Sequence, residues 1–159
     1  MALRRIGSGG TYLVNQRTFA LLSWLIIFFL LPSVVFAQVQ TRVRIIEASN
    51  MGASIDPALR DVHDQLGSLF NFSSYRLLKD VNLNLVGNRP VVVPVHEGRS
   101  MEVTLVGEYR KMIELRIKIT RESSTILNTQ VRLSTGRTIL IGGPKHGGGV
   151  MIFALSSRF

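Results

Sequence analysis

The segment Ile113-Glu114-Leu115-Arg116-Ile117-Lys118-Ile119-Thr120 alternates branched apolar and polar residues without a break. A period of two puts the apolar side chains on one face and the polar ones on the other, and so predicts a strand with one buried and one wet face. The same period extends outward from it. Upstream, Met101, Val103 and Leu105 alternate with Glu102 and Thr104, and Val81, Leu83 and Leu85 alternate with Asn82 and Asn84 before the turn Gly87-Asn88. Downstream, Leu127, Thr129, Val131 and Leu133 alternate with Asn128, Gln130 and Arg132. The turn Ser134-Thr135-Gly136 then leads into Thr138 to Ile141, and a glycine loop at 142–149 connects to Val150 to Leu155. Further toward the N-terminus, Val39, Thr41, Val43 and Ile45 point one way, while Gln40, Arg42 and Arg44 point to water. Val91-Val92-Val93 stands between Pro90 and Pro94, which predicts an edge strand because proline cannot donate to a ladder.

One helix interrupts this pattern. Asp56 supplies a cap and Pro57 suits the first helical position, where a missing N–H costs nothing. Leu59, Val62, Leu66, Leu69 and Phe70 recur at spacings of three and four and predict one apolar stripe ending near Phe70. Residues 49–55 read as a loop. The expected fold class is mainly β: a single sandwich-like or curled antiparallel sheet domain with one early helix covering one opening.

Residues 1–37 read differently. They hold Arg4, Arg5 and Arg17 and no acidic residue, and the stretch from Phe19 to Leu31 is FALLSWLIIFFLL. Pro32 breaks this run, and Val35-Phe36-Ala37 precedes the expected cut. A basic start, an apolar centre and a small-residue site describe a signal peptide, followed by an exported domain over residues 38–159. The localisation this implies is the periplasm or the outer-membrane surface. The alternative is an uncleaved N-terminal helix anchoring the chain in the inner membrane.

Composition narrows the function. The chain has 159 residues and no Cys, which excludes disulfides, thiolate metal sites and cysteine nucleophiles. Removing residues 1–37 leaves 122 residues with 16 basic and 10 acidic side chains, a net charge of +6. That charge admits contact with an anionic surface such as lipid head groups or polysaccharide. Nucleic acid is not expected as a partner, because export removes it and aromatics are sparse.

The chain shows no catalytic constellation. G-x-S-x-G is absent, and Glu102 and Glu114 read as wet-face charges paired across strands with Arg116 or Lys118. His63, His96 and His146 fall in three different elements, with the side chains of His63 and Asp64 expected to diverge, so no metal and no cofactor are expected. The glycine loop lacks G-K-[ST] and opens no helix, so it reads as a hairpin tip rather than a phosphate cradle.

Thr129, Val131, Leu133, Gly136, Thr138, Leu140, Ile141, Gly142 and Gly143 form a strand, a glycine turn and a T-x-L-I-G-G strand. With the amphipathic strand before it, the stretch 112–143 resembles the late part of the secretin homology domain. After Gly143 the run Pro144-Lys145-His146 departs from the secretin pattern, and the chain is too short for a ring-forming gate. The resemblance implies assembly by strand pairing and no catalysis.

These readings converge on a non-enzymatic, envelope-associated assembly or interaction domain linked to a secretion or pilus system. Its expected partner is an envelope protein complex or a second copy, paired through Val91, Val92 and Val93 or through the terminal strand at Ile152. Two alternatives stand beside it. One is a module binding anionic polysaccharide or lipid head groups through Arg42, Arg44, Arg116, Lys118 and Arg132. The other is a small outer-membrane barrel.

Overall fold

The computed structural model describes residues 38–159, so the signal peptide expected over 1–37 lies outside the described residues. Strand β1 (Val39–Ser49) is flanked on one side by β3 (Ser74–Leu85) and on the other by β9 (Gly149–Arg158), both antiparallel. β8 (Thr138–His146) completes that sheet beyond β9, and the two-residue β2 (Ser54–Ile55) lies parallel to β3 at the opposite edge. A second sheet is an antiparallel meander of β4 (Pro90–Pro94), β5 (Arg99–Tyr109), β6 (Met112–Arg121) and β7 (Ser124–Ser134). β6 is the strand on which the period of two is unbroken, and its Ile113, Leu115, Ile117 and Ile119 are fully buried.

The two sheets share one apolar core. Val43, Ile45, Met151, Phe153 and Leu155 of the five-stranded sheet meet Met101, Val103, Ile117 and Leu133 of the four-stranded one. The fold is therefore mainly β and sandwich-like. The described residues form two open sheets around an apolar interior, not the one closed sheet that the outer-membrane barrel alternative requires.

A second core lies on the other face of the five-stranded sheet. There a 3-10 turn (Pro57–Val62) running into α1 (His63–Leu69) lays Leu59, Val62 and Leu66 on Ile46, Ala48, Ile152 and Ala154. Asp56 caps the segment by accepting a hydrogen bond from the amide of Ala58 at 2.9 Å. Tyr75 ties down its far end, its hydroxyl donating to the carbonyl of Phe70 at 2.7 Å. Because the first half winds as 3-10, the apolar stripe drifts, and Leu69 is 60% exposed rather than buried.

This second core corrects the reading of the terminal strand. β9 is apolar on both faces because it lies inside a sheet and both faces are covered within the chain. Ile152 is thus core, packed beneath the helical segment, and is no interface residue. The glycine loop is also shorter than expected: β8 continues through Gly142, Gly143 and Pro144 with a bulge before Lys145, leaving the turn to Gly147-Gly148. Glycine is required there by close approach. A Cβ on Gly143 would sit 2.4 Å from the Phe153 ring, and one on Gly149 would sit 1.9 Å from the Ala48 carbonyl oxygen.

Candidate functional site

The five cations proposed as one anion-binding face fall on two sheets. Arg116, Lys118 and Arg132 share the outer face of β6 and β7. Lys118 stands opposite Glu102, and Arg132 lies 3.7 Å from Glu114, so part of that charge is balanced locally. Arg42 and Arg44 belong to β1 of the other sheet. Arg42 donates to Asp80 at 2.9 Å in a polar groove lined by Gln40, Asn82, Asn84 and Arg158.

Arg44 is not on a wet face at all. It is 1% exposed, because the helical segment covers that part of β1, and it donates to Asp61 at 2.6 and 2.9 Å. The structure thus brings Arg116, Lys118 and Arg132 together and leaves Arg42 and Arg44 in separate ion pairs.

The sheet edges are unequal. β2 has two residues and pairs only Ser74 and Tyr75, so β3 forms the rest of that edge and is bulged at Leu78. β8 is bulged, with its first carbonyl, that of Thr138, taken by the side chain of Gln65 at 3.2 Å. β4 is an edge as expected, with Val93 buried, Val91 half-buried and Val92 58% exposed. The amide of Val95 donates to the carbonyl of Arg99, which sets the alternation along β4. Val91 and Val93 bond β5, and Pro90, Val92 and Pro94 turn their backbone groups outward. Both prolines lack an N–H, so Val92 offers the one outward donor on this edge. The ammonium of Lys79 occupies the Pro94 carbonyl at 2.7 Å. Val91-Val92-Val93 therefore forms a blunted edge.

β7 is the contrasting case. It is 11 residues long and contains no proline. The amide of Thr135 donates to the carbonyl of Lys111, and the unbroken register from Met112–Ser134 to Ile119–Leu127 fixes which groups bond β6. Leu127, Thr129, Val131 and Leu133 bond inward. Asn128, Gln130 and Arg132 turn both N–H and C=O to the free edge, and all three side chains are exposed. The alternation that identified β7 was legible in the sequence, but its place at an edge was not.

A cluster of titratable groups gathers where the β4–β5 turn meets the end of β8. Glu97, at φ +59°, and Gly98, at φ +67°, make this turn, and the buried Arg99 follows. Arg99 donates to Glu97 at 2.8 Å and to the carbonyl of Lys145 at 3.1 Å. The hydrogen bond from Arg99 holds the Glu97 carboxyl below its ordinary range. His96 meets His146 edge-on, with ring centroids 5.1 Å apart, and His146 lies between Glu97 and Glu47. Sequence spacing gives no sign of this grouping, because the sandwich joins turns far apart in the chain. Elsewhere, His63 and Asp64 do not diverge: His63 Nδ1 lies 3.2 Å from Asp64 Oδ1 at the exposed start of α1.

No protein-family model matches this chain, and no curated protein matches it either.

Proposed function

We propose that this chain is an exported, non-enzymatic domain of the cell envelope that works by assembly, and that it pairs β7 with β7 of a second copy. The observation that carries the reading is the free edge of β7. Among the described residues β2 is two residues long, β3 beyond it is bulged at Leu78, β8 is bulged before Lys145 and β4 is proline-flanked. β7 carries its own bulge at Ile126, and from Asn128 to Arg132 it keeps an uninterrupted row of outward donors and acceptors. A twofold antiparallel pairing centred on Gln130 sets Arg132 opposite Asn128, so no like charges face each other. The stretch 112–143 that resembles secretins spans β6, β7 and the start of β8, and includes this edge. The signal-peptide pattern of residues 1–37 supports an envelope location in the periplasm or at the outer membrane, and a secretion or pilus system is the setting that the resemblance favours.

Light scattering on the purified protein tests the pairing with Gln130→Pro. The Gln130 amide points away from β6, so proline there removes an outward donor without removing a ladder bond. Wild type is expected to dimerise and Gln130→Pro to remain monomeric with unchanged circular dichroism. Val92→Lys, on the blunted edge, is expected to dimerise like wild type. A monomeric wild type at high concentration, or a Gln130→Pro variant that dimerises equally well, overturns the reading.

A further inference from the structure

His96 and Glu97 in the β4–β5 turn and His146 at the end of β8 each direct one ligand-type atom into a common space, and these atoms all lie within 4.8 Å of one another. His146 is the fixed member. It is 6% exposed, and its Nδ1 is buried without a hydrogen-bond partner. That nitrogen faces Glu97 Oε1 at 3.4 Å.

Two ligands at about 2.0–2.1 Å from one tetrahedral ion stand about 3.3 Å apart. The 3.4 Å between His146 Nδ1 and Glu97 Oε1 matches that spacing, and no hydrogen bond takes up Nδ1.

The surroundings fit the same chemistry. Glu47 Oε1 lies 3.5 Å from Nε2, the other ring nitrogen of His146, and Arg76 donates to the second oxygen of Glu47 at 2.8 Å. Glu97 is held in turn through its far oxygen by Arg99. A carboxylate behind the histidine and a donor behind the ligating carboxylate are the outer contacts that orient metal ligands. His96 and Glu97 are exposed, so rotation of their side chains can close the remaining gap and leave one coordination position open to water. We propose that His96, Glu97 and His146 bind one divalent transition ion of the zinc class through two nitrogens and one oxygen. This site is independent of the β7 edge.

The test uses the full chain, freed of metal by a chelator, and titrates it with zinc chloride by calorimetry and with cobalt chloride by visible absorption. One zinc per chain is expected, together with the absorption bands of tetrahedral cobalt. Because His146→Gln alters a buried residue, the exposed positions decide the matter. His96→Gln and Glu97→Gln are each expected to weaken zinc binding about tenfold or more with unchanged circular dichroism, and Glu47→Gln to weaken it by about 10–100-fold. His63→Gln, at the separate His63–Asp64 pair, is expected to leave the affinity unchanged. Absence of zinc binding, or full affinity in the His96→Gln/Glu97→Gln double variant, overturns the proposal.

Discussion

The guanidinium of Arg44 closes on the carboxylate of Asp61 with two hydrogen bonds, at 2.6 and 2.9 Å, from a side chain that the helical segment buries completely. Asp61 remains half-exposed, so the pair joins a cation inside the second core to an anion at its rim. Arg44 also approaches the carbonyl of Ala58, and so ties the first turn of the helical segment to β1.

Removing the anion leaves a buried charge without its partner. Asp61→Ala is expected to destabilise the fold by about 1.5–3 kcal/mol, the range for hydrogen bonds to charged groups. Arg44→Met in the same background removes the charge that needs a partner and should recover most of that loss. Urea titrations of the single and double variants check this. A double variant less stable than Asp61→Ala would mean that Arg44 contributes by packing and not through the pair.

Stability should also fall in acid through this pair and its neighbour. Hydrogen bonds from Arg44 hold the Asp61 carboxyl below the ordinary aspartate range, and those from Arg42 do the same for Asp80. A value lower in the folded state than in the unfolded one gives a contribution that is complete above the ordinary aspartate pKa of about 3.9. That contribution disappears as pH falls through the lower, folded value. Unfolding free energies measured at stepped pH should show the loss, and Asp80→Asn should make it shallower. Identical acid profiles for wild type and Asp80→Asn would assign the loss to other groups.

The register of β6 gives a paired test of the core. Ile117 is fully buried between the sheets, and Lys118 lies on the outer face opposite Glu102. Ile117→Ala should cost about 2–5 kcal/mol. Lys118→Ala should stay within roughly 0.5 kcal/mol. Denaturant titration of the two variants distinguishes the faces, and equal losses would contradict the register.

Local patterns in the sequence determined the strands, the cap and the turn glycines. Ile113 to Thr120 can place its branched residues on one face only as a strand, Asp56-Pro57 starts a helix from its own side-chain chemistry, and Gly136 takes the φ of +72° that a turn requires. These outcomes depend on neighbours in the chain, so adjacent residues carry the information. That the polar alternation of β1 does not stay wet at Arg44, and that β7 ends a sheet, was decided by the tertiary structure alone. Arg44 alternates as a wet-face residue and is buried because a helical segment from later in the chain crosses it. Val150 to Leu155 is apolar on both faces because β1 and β8 flank it and two cores enclose it. His96, Glu97 and His146 meet because the sandwich brings the β4–β5 turn against the end of β8. Such contacts arise from the packing of whole sheets, and no short-range period in a sequence records them.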